Sequence, residues 1–311
     1  GNEIPSQLTH DGKILVEIAV APSSSATITI ATGLPKSYVN TCYGRMYPER
    51  VDDIAWENDR GAYRCYGPAL QASGEQAFGN DVWVKNTPDL VVESRYHNEL
   101  VNKLSYHVDR GYGLDCYKVG PTLGCGTPAI IEGDNIRFPY CWTAYEILDN
   151  GPLRFTVRLD YGANGEHRIM SLDKGSNFNK MTVWYDAITT PVDVASGVVI
   201  HTEDTESVVL GKDYVQYADP TDNPKAQNFQ IYVAAIFPDG VDATRKVMYQ
   251  NPVRGNAGHA LGIKKGLQPN EKFTYYFGSS WSKYDCRNQK EWQMRIDNFK
   301  LALAQPLEII L

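Results

Sequence analysis

Two segments of the chain concentrate side chains that can transfer protons or bind an anionic ligand. The first, residues 45–68, interleaves aromatic and charged residues, among them Trp56, Glu57, Arg60 and Arg64. A pyranose ring presents an apolar face that stacks on aromatic side chains, and its hydroxyls need hydrogen-bond partners. Because an arginine can also grip a carboxylate through two parallel hydrogen bonds, this segment predicts binding of a sugar, with the arginines suited to a uronate.

The first segment also admits a structural interpretation. If residues 60–66 form one strand, Arg60, Arg64 and Tyr66 share one face of a sheet. Charged residues make up 22% of the chain, so clusters of Asp and Arg arise by chance and can simply brace a sheet through ion pairs. Sugar binding and bracing ion pairs both stay open at this point.

The second segment, residues 106–126, is rich in glycine and carries His107, Asp109, Asp115 and Tyr117. Glycines allow tight turns and a close approach of the backbone to a ligand, so we expect these side chains on a loop that faces a cleft. His107 is suited to act as a general base near neutral pH, with Tyr117 or a carboxylate as its acid partner. A hydrogen-bonded structural loop and a metal site are the alternatives. One imidazole with two carboxylates fits calcium and zinc equally badly, so we predict no metal and no cofactor.

Two further elements carry candidate residues. Strand alternation within residues 198–203 places His201 and Glu203 on the same face, where they could exchange protons with a sugar hydroxyl or ring oxygen. A solvated strand face is the alternative for this pair. Trp281 could close the cleft as a second stacking platform, or it could belong to the core.

The elements that must position these residues are mostly short strands. Residues 154–161 alternate apolar and polar side chains in the pattern of a half-buried strand. The same alternation predicts strands at residues 14–20, 26–31, 181–185, 198–203, 231–237 and 273–277, and an apolar last strand at 307–311. Two helices are predicted, one from Thr87-Pro88 towards Leu104 and one that follows Asp285 as its N-cap. Many strands without alternating helices predict an all-β antiparallel sandwich.

Composition excludes several classes of protein. A formal net charge of −7 and a pI of about 5.4 argue against a nucleic-acid partner, which needs clustered Lys and Arg. The apolar runs are far shorter than the roughly 20 residues that span a bilayer. The chain lacks the sequence motifs of serine hydrolases, phosphate-binding loops, dinucleotide-binding folds and zincins. The six cysteines are interpreted as buried free thiols, with one disulfide among Cys116, Cys125 and Cys141 as the alternative.

A set of short motifs resembles an uncharacterised bacterial family, the domain-of-unknown-function family numbered 4861. The motifs are Asp-Asp-Ile-Ala-Trp-Glu-Asn-Asp-Arg at 52–60, Tyr-Gly-Pro at 66–68, His-x-Asp-x-Gly-x-Gly-x-Asp at 107–115, Val-Gly at 119–120, Gly-Cys-Gly at 124–126 and Gly-Ser-Ser-Trp at 278–281. The resemblance implies an exported protein, periplasmic or secreted, found beside polysaccharide-degrading enzymes in Bacteroidetes. It also implies a β-supersandwich similar to galactose mutarotase and an oligosaccharide or polysaccharide partner. The family has no settled activity, so it supplies no catalytic residues.

These patterns lead to two main hypotheses. The first is a carbohydrate-active enzyme, a lyase, hydrolase or epimerase, that acts on acidic oligosaccharides from polysaccharide breakdown. The second is a non-catalytic periplasmic glycan-binding module, which needs the aromatic residues but no matched acid and base. A structural role in the cell envelope, without sugar affinity, is a third. No repeat or linker marks a boundary, so residues 1–311 are expected to form a single domain. We expect one concave pocket to be lined by Trp56, Arg60, Arg64, His107, Asp109, Asp115 and Tyr117.

Overall fold

Strands dominate the structure of the protein, a computed structural model that describes residues 2–34, 36–226 and 228–310. In chain order the strands are β1 (Ser6–Leu8), β2 (Ile14–Val16), β3 (Tyr43–Tyr47), β4 (Asp53–Glu57), β5 (Gly61–Cys65), β6 (Asp81–Lys85), β7 (Gly113–Asp115), β8 (Ala129–Glu132), β9 (Asn135–Arg137), β10 (Trp142–Asn150), β11 (Arg154–Tyr161), β12 (Glu166–Asp173), β13 (Phe178–Tyr185), β14 (Val192–His201), β15 (Val208–Leu210), β16 (Tyr214–Asp219), β17 (Ile231–Ile236), β18 (Ala243–Val253), β19 (Asn256–Leu267) and β20 (Phe273–Trp281). The α-helices are α1 (Pro68–Ala72), α2 (Val92–Leu100) and α3 (Gln289–Ala304), and 3-10 turns occupy Pro48–Arg50, Ala163–Gly165 and Pro224–Ala226.

The strands form one large sheet and two smaller ones, besides the β1–β2 hairpin. The large sheet has eight strands in the order β10-β11-β12-β13-β20-β17-β16-β15. The smaller sheets have five strands each, in the orders β18-β19-β14-β8-β9 and β3-β4-β5-β6-β7. The strands within each sheet pair antiparallel, so the prediction of an all-β antiparallel sandwich is confirmed.

Alternate residues of β17 show how the layers stack on the large sheet. Val233 and Ala235 belong to the hydrophobic cluster that the large sheet shares with both five-stranded sheets. Tyr232, Ala234 and Ile236 point the opposite way and pack with Trp292 and Ile296 of α3. Since successive strand residues face opposite sides, the five-stranded sheets cover one face of the large sheet and α3 covers the other.

A short crossing segment joins the two five-stranded sheets. Gly124 makes a parallel bridge with Asn80, which precedes β6, and Cys125 makes an antiparallel bridge with Val198 of β14. Gly124 has a φ of +55°, and a Cβ there would lie 2.2 Å from the carbonyl oxygen of Asn80. Only glycine tolerates this close approach. Gly124 therefore fixes the position of the glycine-rich segment beside Asn80, and with it the path of the preceding residues 115–122.

The structure corrects several predicted boundaries. Residues 154–161 form β11 as predicted, but residues 26–31 and 307–310 form no strand. Ile30 is 74% exposed and Leu307 is 70% exposed, so apolar alternation there has no partner strand to pack against. Leu311, the end of the predicted last strand, lies outside the described residues. The single-domain interpretation of residues 1–311 stays a prediction.

The helices also differ from their predicted starts. α2 begins at Val92 rather than after Thr87-Pro88, because the backbone amides of Val91 and Val92 bind a carboxylate that is distant in sequence, that of Glu57. α3 is capped by Asn288, whose side chain accepts from the amide of Glu291, and not by Asp285. The structure has three α-helices in its described part where one or two were expected.

None of the helices it describes is long and apolar enough to cross a bilayer. All six cysteines are free thiols, and five of them are buried.

Replacing Trp292 by alanine tests how α3 is held. The indole is fully buried, stacks on Phe178 with ring centroids 5.2 Å apart and donates to the carbonyl oxygen of Val233. Trp292→Ala is expected to lower the free energy of unfolding by about 3–5 kcal/mol, because a cavity would remain under the helix. Met294→Ala, on the 55% exposed side chain of the same helix, is the control and should change it by less than about 0.5 kcal/mol. Urea denaturation followed by circular dichroism measures both, and equal losses would contradict this anchoring.

Candidate functional site

The outer face of the β3–β7 sheet carries buried ionised residues where a sandwich normally places apolar ones. Arg64 of β5 lies directly opposite Asp81 of β6. Its Nη2 donates to Asp81 Oδ2 at 2.5 Å and to Asp115 Oδ2 at 2.9 Å, and its Nη1 lies 3.7 Å from Asp53 Oδ2. The four side chains are at most 5% exposed. One guanidinium therefore faces three buried carboxylates.

Aromatic rings enclose this guanidinium. Its carbon atom lies 4.8 Å from the ring centre of Tyr66 and 5.1 Å from that of Trp83. The hydroxyl of Tyr106 accepts from Arg64 at 3.3 Å and from Arg50 Nη2 at 2.6 Å. Such cation–π contacts strengthen when water is excluded, so the rings help to compensate for the burial of the charge.

The pKa values of two carboxyl groups in this cluster are shifted. Burial raises the pKa of Asp53 to about 6, against the opposing attraction of Arg64. Burial also raises the pKa of Asp115 well above its usual range, and the neighbouring carboxylate of Asp81 adds to this effect. A buried carboxyl with a raised pKa favours its protonated form and can donate a proton. The cluster thus contains carboxylic acids as well as ions.

A cavity of about 240 Å³ opens beside this cluster. Four residues predicted from the sequence line it, namely Arg64, His107, Asp115 and Tyr117. His107 is 49% exposed, and its Nδ1 lies 3.0 Å from the carbonyl oxygen of Asp115 and 3.8 Å from its Oδ2. The hydroxyl of Tyr117 is buried and has no hydrogen-bond partner among the described residues. A half-exposed imidazole and two buried side chains, the carboxyl of Asp115 and the phenol of Tyr117, therefore line one cavity.

Sequence reasoning missed four charged residues of the cavity wall, namely Arg50, Glu75, Lys118 and Asp222. Arg50 and Lys118 line it, and neither has a carboxylate oxygen within 4.0 Å in the part of the chain that the structure describes. Glu75 and Asp222 also line it, and burial raises the pKa of Asp222 although His107 is nearby. Arg50 and Lys118 stand inside or next to the two motif-rich segments and could have been singled out. Asp222 is distant in sequence and belongs to no motif.

A strained turn delivers Arg50 to the cavity. The residues that follow it, Val51 and Asp52, both have left-handed φ angles, 47° and 64°. This conformation costs energy for a β-branched side chain such as that of Val51. The turn is held by packing against Gly67, where a Cβ would lie 2.1 Å from the carbonyl oxygen of Asp52. The Tyr66-Gly-Pro68 motif thus supports the position of Arg50.

Trp56 is not a sugar platform. Its ring is 1% exposed, stacks on Tyr63 and Phe155 and donates from Nε1 to Asn179 Oδ1 at 2.7 Å. Strand alternation explains the error, because Trp56 lies on the inner face of β4 while Arg64 points outward from β5.

Glu57 and Arg60 also lie outside the cavity wall. The carboxylate of Glu57 is buried, accepts from Lys85 Nζ at 2.7 Å and binds the first amides of α2, so it is structural. Arg60 precedes β5 and does not share the face of Arg64. Its Nη1 lies 3.5 Å from Asp285 Oδ2, away from the cavity.

Asp109 is a loop-bracing residue. Its Oδ1 accepts from the amides of Gly111 at 2.9 Å and Gly113 at 3.0 Å, and its Oδ2 pairs with Lys283. The interpretation of this segment as a hydrogen-bonded structural loop therefore applies to Asp109. Among the described residues no group of three or more His, Cys, Asp or Glu is placed to hold a metal ion.

The remaining candidates are separated from one another. β14 ends at His201, so Glu203 lies in the following exposed turn and accepts from the hydroxyl of Thr202. The prediction that His201 and Glu203 stand side by side is therefore wrong. His201 is 1% exposed and lies behind the cavity wall. Trp281 is 2% exposed and donates to the carbonyl oxygen of Asn228, so it belongs to the core.

The buried cluster makes stability depend on pH with a defined sign. The pKa of Asp53 is about 6 in the folded chain against 3.8 ordinarily, so the folded state holds the proton more tightly. The free energy of unfolding must then fall as pH rises between these values, by about 3 kcal/mol for this one group. Asp53→Asn is expected to flatten this part of the curve, measured by urea denaturation from about pH 4 to about pH 7. Asp239→Asn, in an exposed turn, should leave the curve unchanged. Parallel curves for Asp53→Asn and the wild type would contradict the raised pKa.

Comparison with known proteins places the chain in a family. "Uncharacterized protein P7" of Formosa agariphila is 28% identical over 287 residues, which cover 86% of this chain and 69% of that protein. The crystal structure of YidC from Thermotoga maritima aligns with 81% of this chain at 11% identity and a TM-score of 0.33, and this chain spans 55% of that one. A similarity that low carries no argument. The family model described as "Domain of unknown function (DUF4861)" matches residues 1–309, so the chain belongs to the DUF4861 family.

Proposed function

We propose that the protein is a carbohydrate-active enzyme, a lyase, hydrolase or epimerase, that acts on acidic oligosaccharides. The observation that carries the proposal is the convergence of His107, Asp115 and Tyr117 on one cavity. All three reactions require a group that gives a proton and a group that takes one, both within reach of the same sugar ring. The cavity provides candidates for both roles.

The environments of the cavity groups favour different roles. Asp115 is buried and has a raised pKa, so its protonated form is the candidate general acid. His107 is half exposed and an imidazole nitrogen can accept a proton, so its neutral form is the candidate general base. The free hydroxyl of Tyr117 can donate a hydrogen bond to an oxygen on which negative charge develops. Clustered groups with perturbed pKa values are typical of active sites.

The cations of the cavity support an acidic substrate. Arg64, which the sequence suggested as a carboxylate ligand, is already occupied by the buried aspartates. Arg50 and Lys118 face the cavity without a carboxylate partner in the described chain. The carboxylate of a bound uronate could pair with these two cations, with Arg50 oriented for it by two hydrogen bonds to the hydroxyl of Tyr106.

The rings of Tyr66 and Tyr106 line the same cavity and offer apolar surface to the face of a pyranose. They take the place that Trp56 was expected to fill.

We propose a periplasmic or secreted location on the resemblance to exported members of the family. Fractionation of the producing bacterium tests the location.

The charge requirement is tested with Arg50→Met and Lys118→Met. Each is expected to weaken binding of an oligogalacturonate by roughly ten- to a hundredfold, because a charge-assisted hydrogen bond is lost. Calorimetry with the oligogalacturonate and with its methyl ester separates charge from shape, since the ester keeps the rings and lacks the charge. Arg110→Met, on the exposed part of the same loop as His107, is the matched control. Equal losses for ester and acid would contradict an anion-binding role.

The catalytic requirement is tested with Tyr117→Phe, which removes one oxygen atom. An enzyme that uses this hydroxyl should lose at least about a hundredfold in kcat while its Kd for the same oligosaccharide changes little. The measurement is product formation on a panel of galacturonate and glucuronate oligosaccharides. Tyr145→Phe, on the 38% exposed ring of β10, serves as the control. Binding without turnover in the wild type would favour the glycan-binding module instead.

A further inference from the structure

We infer that His201 and Asp219 form a positioning pair that holds the main chain of the cavity wall at Lys118. This role rests on the proposed function only for its effect on the substrate, because the contacts themselves are independent of it. Neither residue lines the cavity, so neither is a catalytic residue.

The contacts of the pair are short and fully buried. His201 Nδ1 lies 2.8 Å from Asp219 Oδ2, with side chains that are 1% and 0% exposed. His201 Nε2 lies 2.9 Å from the carbonyl oxygen of Lys118. The Nδ1–Oδ2 contact has the distance of a close ion pair but not the alignment of a hydrogen bond, whereas Nε2 is placed to donate to the Lys118 carbonyl oxygen; a charged imidazolium fits both contacts. The charge of the ring is then paired with that of Asp219.

The pair connects two walls of the cavity. The Lys118 carbonyl follows Tyr117, whose ring stands edge-on to His201 with centroids 6.0 Å apart. On the other side, Asp219 Oδ1 accepts from the amide of Thr221 at 2.7 Å. The amide of the next residue, Asp222, donates to the carbonyl oxygen of Cys116 at 2.8 Å. A change at His201 should therefore shift Tyr117, Lys118 and Asp222 together.

The groups that face His201 leave Asp219 as its only anionic partner in the described chain. They are Asp219 and Tyr217 on β16, Tyr117 and Lys118 after β7, and His259 on β19. Burial raises the pKa of both tyrosines, which keeps them neutral. Burial also lowers the pKa of His259 to about 3, so this histidine is neutral.

Protonation of His201 gives the pair a direction of pH dependence. Against the effect of burial, the charge of Asp219 raises the pKa of His201 above 6.5. A raised histidine pKa means that the stabilisation is complete below the unfolded pKa and is lost as pH rises through the folded one. The cavity wall should therefore loosen on the alkaline side.

His259 provides a matched control. It is equally buried and accepts at Nε2 from the amide of Leu123, on the same crossing segment, at 3.1 Å. It lacks a carboxylate partner in the described chain, and glutamine can accept the same hydrogen bond. His259→Gln therefore disturbs the core beside the cavity without removing a charge pair.

The first test needs no substrate and uses the full chain. Imidazole nitrogen NMR near neutral pH should show His201 protonated on both nitrogens and His259 on one. In His201→Gln and in Asp219→Asn, hydrogen exchange of amides 116–120 should rise by roughly tenfold, while His259→Gln leaves it unchanged. A neutral His201, or unchanged exchange in both variants, would overturn the inference.

The second test uses an oligogalacturonate and calorimetry across pH. Wild-type affinity should fall as pH rises through the pKa of His201. In His201→Gln the affinity should be lower by on the order of tenfold to a hundredfold, and that pH dependence should be absent. If no form binds the oligosaccharide but the NMR and exchange results hold, the proposed function fails and the positioning pair stands. If His201→Gln binds as the wild type does, with the same pH profile, the pair fails and the proposed function stands.

Discussion

The structure around the cavity depends on the burial of Arg64 among Asp53, Asp81 and Asp115. Each ion removed from water costs several kcal/mol, and a cluster with one cation and three carboxylates cannot neutralise itself by pairing alone. Protonation of carboxyls and the aromatic rings around the guanidinium reduce the imbalance. An apolar arrangement would be less costly, and the pair of Arg64 with Asp81 on the adjacent strand is the kind of bracing contact that the sequence also allowed.

The cover of this charged face depends on a second buried ion pair. Glu57 of β4 binds Lys85 of β6, two strands away, and, with the same carboxylate, the first free amides of α2. The positive end of the helix dipole therefore meets an anion fixed in the sheet. α2 then supplies Tyr96, which packs against Trp83 over the cluster. The carboxylate of Glu57 thus positions α2, which shields Arg64 from water.

The sequence predicted what local patterns determine. Alternation found β11, β13, β17 and β20, four of the eight strands of the large sheet, and the density of polar residues led to Arg64, His107, Asp115 and Tyr117. The two-residue alternation along a strand separates its two faces but does not show which face is inward. For this reason Trp56 was assigned to the wrong face. Contacts between distant segments leave no local signal either. The capping of α2 by Glu57 comes from the packing of that helix on β4, and Asp222 is held at the cavity by a hydrogen bond from its amide to the carbonyl oxygen of Cys116.

Charged groups are arranged differently in the buried cluster and at the cavity wall. Inside the cluster, one cation faces three carboxyl groups, and the contact with Arg64 fixes Asp115 in a place where burial raises its pKa. At the cavity wall, Arg50 and Lys118 have no carboxylate oxygen within 4.0 Å in the described chain. A protein that needed only stability would pair those cations with the acids nearby. A rigid acid beside unpaired cations is instead the arrangement expected where a ligand completes the charge balance and receives the proton.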